Sequence, residues 1–322
     1  MDKFDFSLLL RAFSIFSVVA THFGLYELVG GSLYLIALSG FNFVKYTMPK
    51  LNSINGYPHN PSNTELFHAY FRFVGKLALP TILYLFVVFI ITGQNHIFSL
   101  LLVSNFISPD YANGMSYWFL EVLLQIYLLF SIIFFIKPIR LSISDSPYRF
   151  FFLASLIAYI ISRTCIYFFD TNDLFNRLPH LLFYLFLLGV LTAFSKTTSQ
   201  KIKTSILLTA ICAEAMITRF GGLITFYYFA VIATIWCKNI YLPKSLCTPI
   251  KLVAMSSLFI YLSHFQSLSL LKKINADIAP EISVLFALVV GIVLSTVWKK
   301  RFVLISITKT RISSSMQSKT VV

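Results

Sequence analysis

Charged residues are scarce in this sequence, and acidic residues are the scarcest of them. Only 12% of the 322 residues are charged, with 12 aspartates and glutamates against 26 lysines and arginines. A typical soluble domain has about a quarter of its residues charged. Because 57% of the residues are hydrophobic, the composition excludes an ordinary soluble domain. It predicts an all-α fold, a polytopic membrane helical bundle.

The sequence also has few cysteines and no evident internal repeat. The four cysteines have no metal-ligand or disulfide spacing, so no metal site is expected. The absence of a repeat argues against a transporter built from duplicated halves. The net charge of +14 would suggest nucleic-acid binding in a soluble protein. Here it indicates cationic loops and affinity for anionic membrane lipids, with no nucleic-acid partner.

Ten apolar runs are candidate membrane spans, which need roughly 20 apolar residues each. They are Phe6–Gly24, Leu28–Tyr46, Phe73–Thr92, Met115–Ile136, Tyr148–Phe169, Leu178–Phe194, Thr204–Thr218, Gly222–Cys237, Ile250–Leu271 and Ile282–Val303. The run His96–Ile107 is too short to span and is expected to be re-entrant or interfacial. The first run carries Arg11 and no cleavage site follows it, so we expect a retained helix and not a signal peptide.

The cations fall mainly on one side of this topology. With the N-terminus in the cytoplasm, 20 of the 26 lysines and arginines lie in cytoplasmic segments and four lie outside. This is the distribution that the positive-inside rule describes, and it places both termini in the cytoplasm. Residues 1–307 are expected to form a single transmembrane domain. The basic segment 308–322 is expected to be a disordered cytoplasmic tail.

Arg11 and His22 lie in the first span with ten residues between them. Eleven helical steps of about 100° make three turns plus about 20°, so both side chains project from one face, about 16 Å apart along the axis. Ionisable residues within a span are costly and usually line a ligand pathway. The simpler alternative is that Arg11 extends to the headgroups and His22 lies at the other interface.

The topology gathers further ionisable residues near His22, at the outer ends of their spans. These include Glu121, Arg163 and His264. A carboxylate beside a histidine is a common arrangement for general base catalysis, so we expect Glu121 to orient His22. Structural ion pairs between helix ends are the alternative.

A second group of cations lies at the inner depth, with Arg11. Arg72 and Lys76 belong to it. Arginine offers a fork to phosphate oxygens and lysine offers a point charge, so this group suits a phosphate-bearing cytosolic ligand.

Five short motifs, in chain order, resemble those of acyltransferase family 3, the membrane-bound O-acyltransferases of surface glycans. They are Arg11-Ala12-Phe13 with Thr21-His22-Phe23, Ser39-Gly40-Phe41, Arg72 with Lys76-Leu77-Ala78-Leu79-Pro80, Trp118-Phe119-Leu120 with Gln125 and Tyr127, and Tyr261-Leu262-Ser263-His264-Phe265. Many members carry a glutamate five residues after the tryptophan, where this chain has Leu123; its acidic residue is Glu121. The chain resembles the compact branch without a C-terminal hydrolase-like domain.

The resemblance implies transfer of an acyl group, commonly acetyl, from cytosolic acyl-CoA to a hydroxyl of a surface polysaccharide or lipid-linked glycan. It also implies a bacterial inner membrane. Arg11, helped by Arg72 and Lys76, would bind acetyl-CoA or another acyl-CoA, and His22 with Glu121 would activate the acceptor hydroxyl. The expected acceptor-binding residues are Trp118, Tyr127, Arg163 and His264.

Other classes of membrane protein remain open on the sequence alone. A glycan polymerase or lipid-linked sugar transporter would also be polytopic and aromatic-rich, although the long outer loop Thr92–Gly114 has no lysine or arginine. A secondary transporter would have breaks at mid-span, whereas Pro80 and Pro179 lie near the starts of their spans. A non-enzymatic scaffold would leave Arg11 and Glu121 unexplained.

Overall fold

Long apolar segments form helices, because a helix bonds each backbone group within its own segment, and the computed structural model is accordingly a helical bundle with one small sheet in its described residues. It describes residues 1–26, 29–48, 63–93, 97–107, 117–169, 177–217, 221–275 and 277–318. The strands are β1 (Asp2–Asp5) and β2 (Asn239–Leu242). The helices are α1 (Phe6–His22), α2 (Gly31–Asn42), α3 (Asn63–Thr92), α4 (Ile97–Leu100), α5 (Trp118–Phe135), α6 (Lys137–Asp145), α7 (Pro147–Phe169), α8 (Pro179–Phe194), α9 (Thr198–Ile217), α10 (Gly221–Trp236), α11 (Lys244–Ile274) and α12 (Pro280–Ser318).

The expected helical class is confirmed, and each predicted span overlaps one helix. Among the described residues, five helices are long and apolar enough to cross a membrane: Tyr70–Thr92, Trp118–Phe135, Pro147–Phe168, Lys244–Ile274 and Pro280–Lys300. Three shorter ones are also apolar: Phe6–His22, Pro179–Phe194 and Ile224–Trp236. The count of ten spans and the cytoplasmic termini stay predictions. The run His96–Ile107 contains only α4 and a 3-10 turn, Ser104–Phe106, both too short to cross.

Some predicted features lie outside the described residues. These are the first residues Leu28, His96 and Met115, the last residue Thr218, most of the loop 47–70 and part of the loop 92–114. Helix α12 continues to Ser318, and the cytoplasmic tail over residues 308–322 stays a prediction. The sequence has no glycine or proline between residues 301 and 318 to interrupt a helix.

Large apolar side chains cover the outside of the bundle. Ile91 on α3 is 77% exposed and Phe229 on α10 is 62% exposed, and similar side chains recur on most of the long helices. Soluble monomers rarely expose continuous apolar surface on this scale. Together with the five spanning helices, this surface identifies an integral membrane protein.

Helix α8 lies at the centre of the bundle and crosses α2 at very short range. Twelve of its 16 residues are buried, and it packs against α2, α5, α7 and α10. A Cβ atom on Gly40 of α2 would overlap the Phe186 carbonyl, and one on Gly189 of α8 would overlap the Ala37 carbonyl. Small residues allow backbones to approach in this way within membranes. The crossing fixes the position of α2 in the bundle.

Replacing Gly189 by alanine is expected to destabilise the protein, because the added methyl group forces two helix backbones apart. Overpacking of this kind costs about 1–3 kcal/mol. Gly75→Ala on α3 is the matched control, since nothing lies within 4 Å of a Cβ atom there. We expect a clearly lower thermal midpoint in detergent for G189A and an unchanged or slightly higher midpoint for G75A, because alanine favours a helix over glycine by about 0.5–1 kcal/mol. Equal midpoints for G189A and the wild type would contradict the close crossing.

Strands β1 and β2 join the beginnings of α1 and α11. The strands are antiparallel, with Asp2 opposite Leu242 and Asp5 opposite Asn239. The Phe6 N–H continues the ladder by donating to the Lys238 carbonyl at 3.1 Å. The N-terminal ends of α1 and α11 therefore lie side by side.

Asp5 connects this sheet to the end of α2. Its Oδ1 accepts from the backbone N–H of Ser7 at 2.9 Å and caps α1. Its Oδ2 lies 2.7 Å from Nζ of Lys45, in the π-helical turn Phe43–Thr47 that follows α2. Partial burial opposes ionisation, but the bonds from Lys45 and Ser7 outweigh it and lower the pKa of Asp5.

Candidate active site

Both polar residues singled out on α1 contact α11. The Arg11 Nε donates to the Ser257 hydroxyl at 2.9 Å, and His22 Nδ1 lies 3.0 Å from His264 Nε2. Ser257 and His264 are seven residues apart, which is two turns along one face of α11. The prediction that Arg11 and His22 share a helix face is confirmed, and that face packs on α11.

A cavity of about 280 Å³ adjoins Arg11, and we call it the arginine cavity. Its polar lining consists of Arg11, Ser39, Asn42, Lys76, Tyr127, Ser257 and Tyr261. Among these described lining residues the two charged groups are both cations, so the cavity favours an anion. The rest of the lining is apolar.

Two expected ligand-binding residues belong to this end of the site. Tyr127, expected to bind the acceptor, is buried, is hydrogen bonded to Ser39 and lies close enough to Arg11 to interact with it. Arg72 is exposed one turn before Lys76 on α3. Arg72 therefore lies on the same helix face as Lys76 without being part of the described lining.

A smaller cavity of about 50 Å³ adjoins His22, and we call it the histidine cavity. Its lining includes Thr21, Ser32, Trp118 and Tyr261. The imidazole of His22 is exposed whereas that of His264 is fully buried. Trp118, predicted to bind the acceptor, therefore lies beside His22. His264, given the same role, instead contacts the His22 ring itself.

Tyr261 separates the two cavities, since it lines both of them. It lies on α11 between Ser257 and His264, four residues after the first and three before the second. Sequence reasoning quoted Tyr261 only as part of a motif and missed Ser257 altogether. The i, i+4, i+7 spacing of these residues on one helix face is the signal that could have found them.

Glu121 holds the short segment that precedes α5. Both carboxylate oxygens accept from the Ser104 hydroxyl, at 2.6 and 2.7 Å, and Oε2 accepts from the Asn105 N–H at 3.0 Å. One turn later, Gln125 donates to the Leu102 carbonyl at 2.7 Å and pairs with the Asn105 amide. The carboxylate is fully buried and is engaged by this segment.

The expected partnership of Glu121 with His22 is corrected by these contacts. The ring of His22 is hydrogen bonded to His264, whereas the hydrogen bonds described above for Glu121 go to Ser104 and Asn105, which are outside the described lining of the histidine cavity. The Asn105 amide donates to the Arg177 carbonyl at 3.0 Å, and the Arg177 guanidinium lies 5.0 Å from the centre of the Trp118 ring. Glu121 thus supports the wall of the cavity.

Arg163 lies away from both cavities. Its Nε is 3.2 Å from Oε2 of Glu214, which also accepts from the Tyr159 hydroxyl at 2.9 Å. These residues join α7 to α9. The structure thus shows for Arg163 the alternative considered for it, an ion pair between helices, and its acceptor-binding role stays a prediction.

Comparison with protein families decides the class of this site. The model of an acyltransferase domain, that of acyltransferase family 3, matches residues 5–300. The chain belongs to acyltransferase family 3. No curated protein and no solved structure matches it significantly.

Family membership confirms the resemblance recognised in the motifs and identifies the protein as a membrane acyltransferase. The glycan polymerase and transporter alternatives are thereby set aside. The matched residues include α1 and α11 together with both cavities, so the acyltransferase domain and the polar site coincide.

Replacing Glu121 by glutamine is expected to lower the stability of the acyltransferase more than its catalysis. The amide retains the shape but faces the Ser104 hydroxyl and Asn105 N–H with one acceptor oxygen in place of two. A buried donor left unsatisfied costs about 1–3 kcal/mol. We expect a lower thermal midpoint and an acyl-transfer rate within about tenfold of the wild type.

Glu214→Gln is the matched control for this measurement, since it makes the same change at a glutamate away from both cavities, in the Arg163 ion pair. Should E121Q lose about 10²-fold in rate at an unchanged midpoint, the supporting role of Glu121 would be wrong.

Proposed function

We propose that this protein transfers acetyl from cytosolic acetyl-CoA to a hydroxyl of a surface polysaccharide or lipid-linked glycan. The single observation that carries the proposal is the arrangement along α1. Arg11 adjoins one cavity and His22 adjoins another, and the two are about 16 Å apart along one helix face. An acyl-CoA has the matching shape, with anionic phosphates at one end and a reactive thioester at the end of a long thin arm.

The donor's phosphates are assigned to the arginine cavity. Arg11 and Lys76 supply its positive charge, and the guanidinium fork matches phosphate oxygens. Arg72, one turn from Lys76, is assigned to the mouth of this cavity. The charge distribution of the loops supports a cytosolic location for this end, because β1, Lys45 and the start of α11 all lie there.

Acyl transfer is assigned to the histidine cavity. His22 accepts the proton of the acceptor hydroxyl, and the resulting oxygen nucleophile forms a bond to the thioester carbonyl carbon. The carbon–sulfur bond breaks, and the CoA thiolate takes the proton back from His22. The products are the acetyl ester and CoA, and His22 is restored.

The size of the histidine cavity favours a short acyl group. Its volume of about 50 Å³ is small beside the 280 Å³ of the arginine cavity, and a small space suits an acetyl group better than a fatty acyl chain. Trp118 offers a flat face for a sugar ring, and Ser32 and Thr21 offer hydroxyls to hydrogen bond with it.

The test uses the whole protein in nanodiscs with labelled acyl-CoA and a de-O-acetylated surface glycan fraction. Acetyl-CoA, butyryl-CoA and palmitoyl-CoA are compared as donors, and empty nanodiscs are the control. We expect ester-linked label in the glycan with acetyl-CoA, much less with butyryl-CoA and none with palmitoyl-CoA.

Two outcomes would overturn the proposal. Transfer from palmitoyl-CoA at the rate of acetyl-CoA would contradict the assigned acyl group. Label that appears in phospholipid, with none in the glycan, would contradict the assigned acceptor.

A further inference from the structure

The imidazole of His22 is one member of a short hydrogen-bonded chain. His22 Nδ1 lies 3.0 Å from Nε2 of His264, and His264 Nδ1 lies 2.5 Å from the backbone carbonyl oxygen of Tyr261. The ring centres of the two histidines are 5.1 Å apart. Both ring nitrogens of His264 therefore take part in this hydrogen-bonded chain, whereas His22 takes part through Nδ1 and not through Nε2.

The chemistry of these atoms fixes where each hydrogen lies. A carbonyl oxygen only accepts hydrogen bonds, so Nδ1 of His264 must carry a hydrogen. A neutral imidazole has a single N–H, which leaves Nε2 of His264 as an acceptor. The Nδ1 atom of His22 must then be the donor, and Nε2 of His22 keeps its lone pair.

The surroundings of His264 favour its neutral form. The residue is fully buried, and its ring neighbours are His22, Phe23, Tyr261 and Phe265. None of these described neighbours is a carboxylate that could pair with an imidazolium, and an unpaired buried charge is costly.

We propose that His264 is a positioning residue that holds His22 as the Nδ1–H tautomer, with the Nε2 lone pair available as the base. The inference rests on the proposed function, because it gives that lone pair the acceptor's proton. Once Nε2 is protonated, His22 is a cation and its Nδ1–H bond to His264 becomes charge-assisted and stronger. In many catalytic sites a carboxylate accepts the Nδ1–H bond of the histidine and fixes its tautomer. Here Glu121 is bonded to Ser104 and Asn105, and the neutral imidazole of His264 is the acceptor.

Two substitutions of His264 separate the acceptor atom from the packing. His264→Phe keeps a buried ring but has no acceptor, whereas His264→Gln offers an amide oxygen to His22 Nδ1. We expect H264F to lose about 10²-fold in kcat with the KM for acetyl-CoA within twofold of the wild type. H264Q is expected to recover at least tenfold of that loss. His180→Gln, which alters a half-buried histidine at the start of α8, is the matched control.

A spectroscopic measurement tests the tautomer without any substrate. The protein has six histidines, so ¹⁵N-histidine NMR can assign the His22 signals from their absence in His22→Gln. We expect protonated Nδ1 and unprotonated Nε2 at His22 in the wild type, and a shift toward the Nε2–H form in H264F.

The two readouts distinguish this inference from the proposed function. The Nδ1–H form at His22 in a protein with no acyl transfer would support the positioning contact and overturn the function. An Nε2–H form in an active wild type would overturn the inference alone. The inference alone would also be overturned if H264F and H264Q lost kcat equally and in proportion to their loss of folded protein.

Discussion

Alanine at position 22 is expected to reduce acyl transfer by about 10³-fold and to leave acetyl-CoA binding nearly unchanged. General base catalysis contributes about 10²–10⁴-fold to the reactions that use it, and His22 is the one imidazole in the described lining of the histidine cavity. The arginine cavity keeps all its polar residues in this variant, so donor affinity is expected to persist.

The measurement combines the initial rate of label transfer with the dissociation constant for acetyl-CoA. His68→Ala is the control, because His68 is exposed on α3 and contacts only the backbone of its own helix among the hydrogen bonds described for it. A rate for H22A within tenfold of the wild type would remove His22 from the chemistry.

The second large effect is expected from Arg11→Lys, which should weaken the use of the donor, acetyl-CoA. Lysine keeps the charge in the arginine cavity but loses the fork and the Nε bond to Ser257. A hydrogen bond to a charged group contributes about 1.5–3 kcal/mol. We therefore expect kcat/KM for acetyl-CoA to fall by about 10–10²-fold, mainly through KM.

Acetyl-pantetheine, which lacks the nucleotide and its phosphates, makes this test specific. If Arg11 binds phosphate, R11K should lower the rate with acetyl-CoA and leave the slower rate with acetyl-pantetheine unchanged. Arg163→Lys is the matched control, since that arginine is paired with Glu214 away from both cavities. Equal losses with the two donors would mean that Arg11 does not act on the phosphates.

Geometry within one helix could be derived from the sequence. The common face of Arg11 and His22 follows from the helical repeat, and that repeat is the same in any helix. The positions of the long helices likewise follow from apolar runs, because lipid requires every backbone group to be bonded within its own segment. Each predicted span accordingly overlaps one helix.

Contacts between helices were much harder to derive. Glu121, Arg163 and His264 were all placed near His22 by depth, yet only His264 contacts it. Depth in the membrane fixes only the position of a residue along the membrane normal. A contact also requires that the two helices be neighbours and that each be rotated about its axis so that the side chains face each other. The assignment of Glu121 to His22 used the chemical complementarity of a carboxylate and an imidazole, which says nothing about which helices are adjacent.

Strands β1 and β2 set the axial alignment of the two helices that carry the site. Strand β1 continues directly into α1, and only Pro243 separates β2 from α11. Strand pairing shifts in whole residues of about 3.3 Å, and a two-residue slip that keeps each side chain on its own face moves one strand by about 6.6 Å. A slide of that size would exceed one helical turn of about 5.4 Å. The register of these four residue pairs therefore sets the relative axial position of the two histidines, which lie about 4.5 helical turns along α1 and about 5.5 turns along α11.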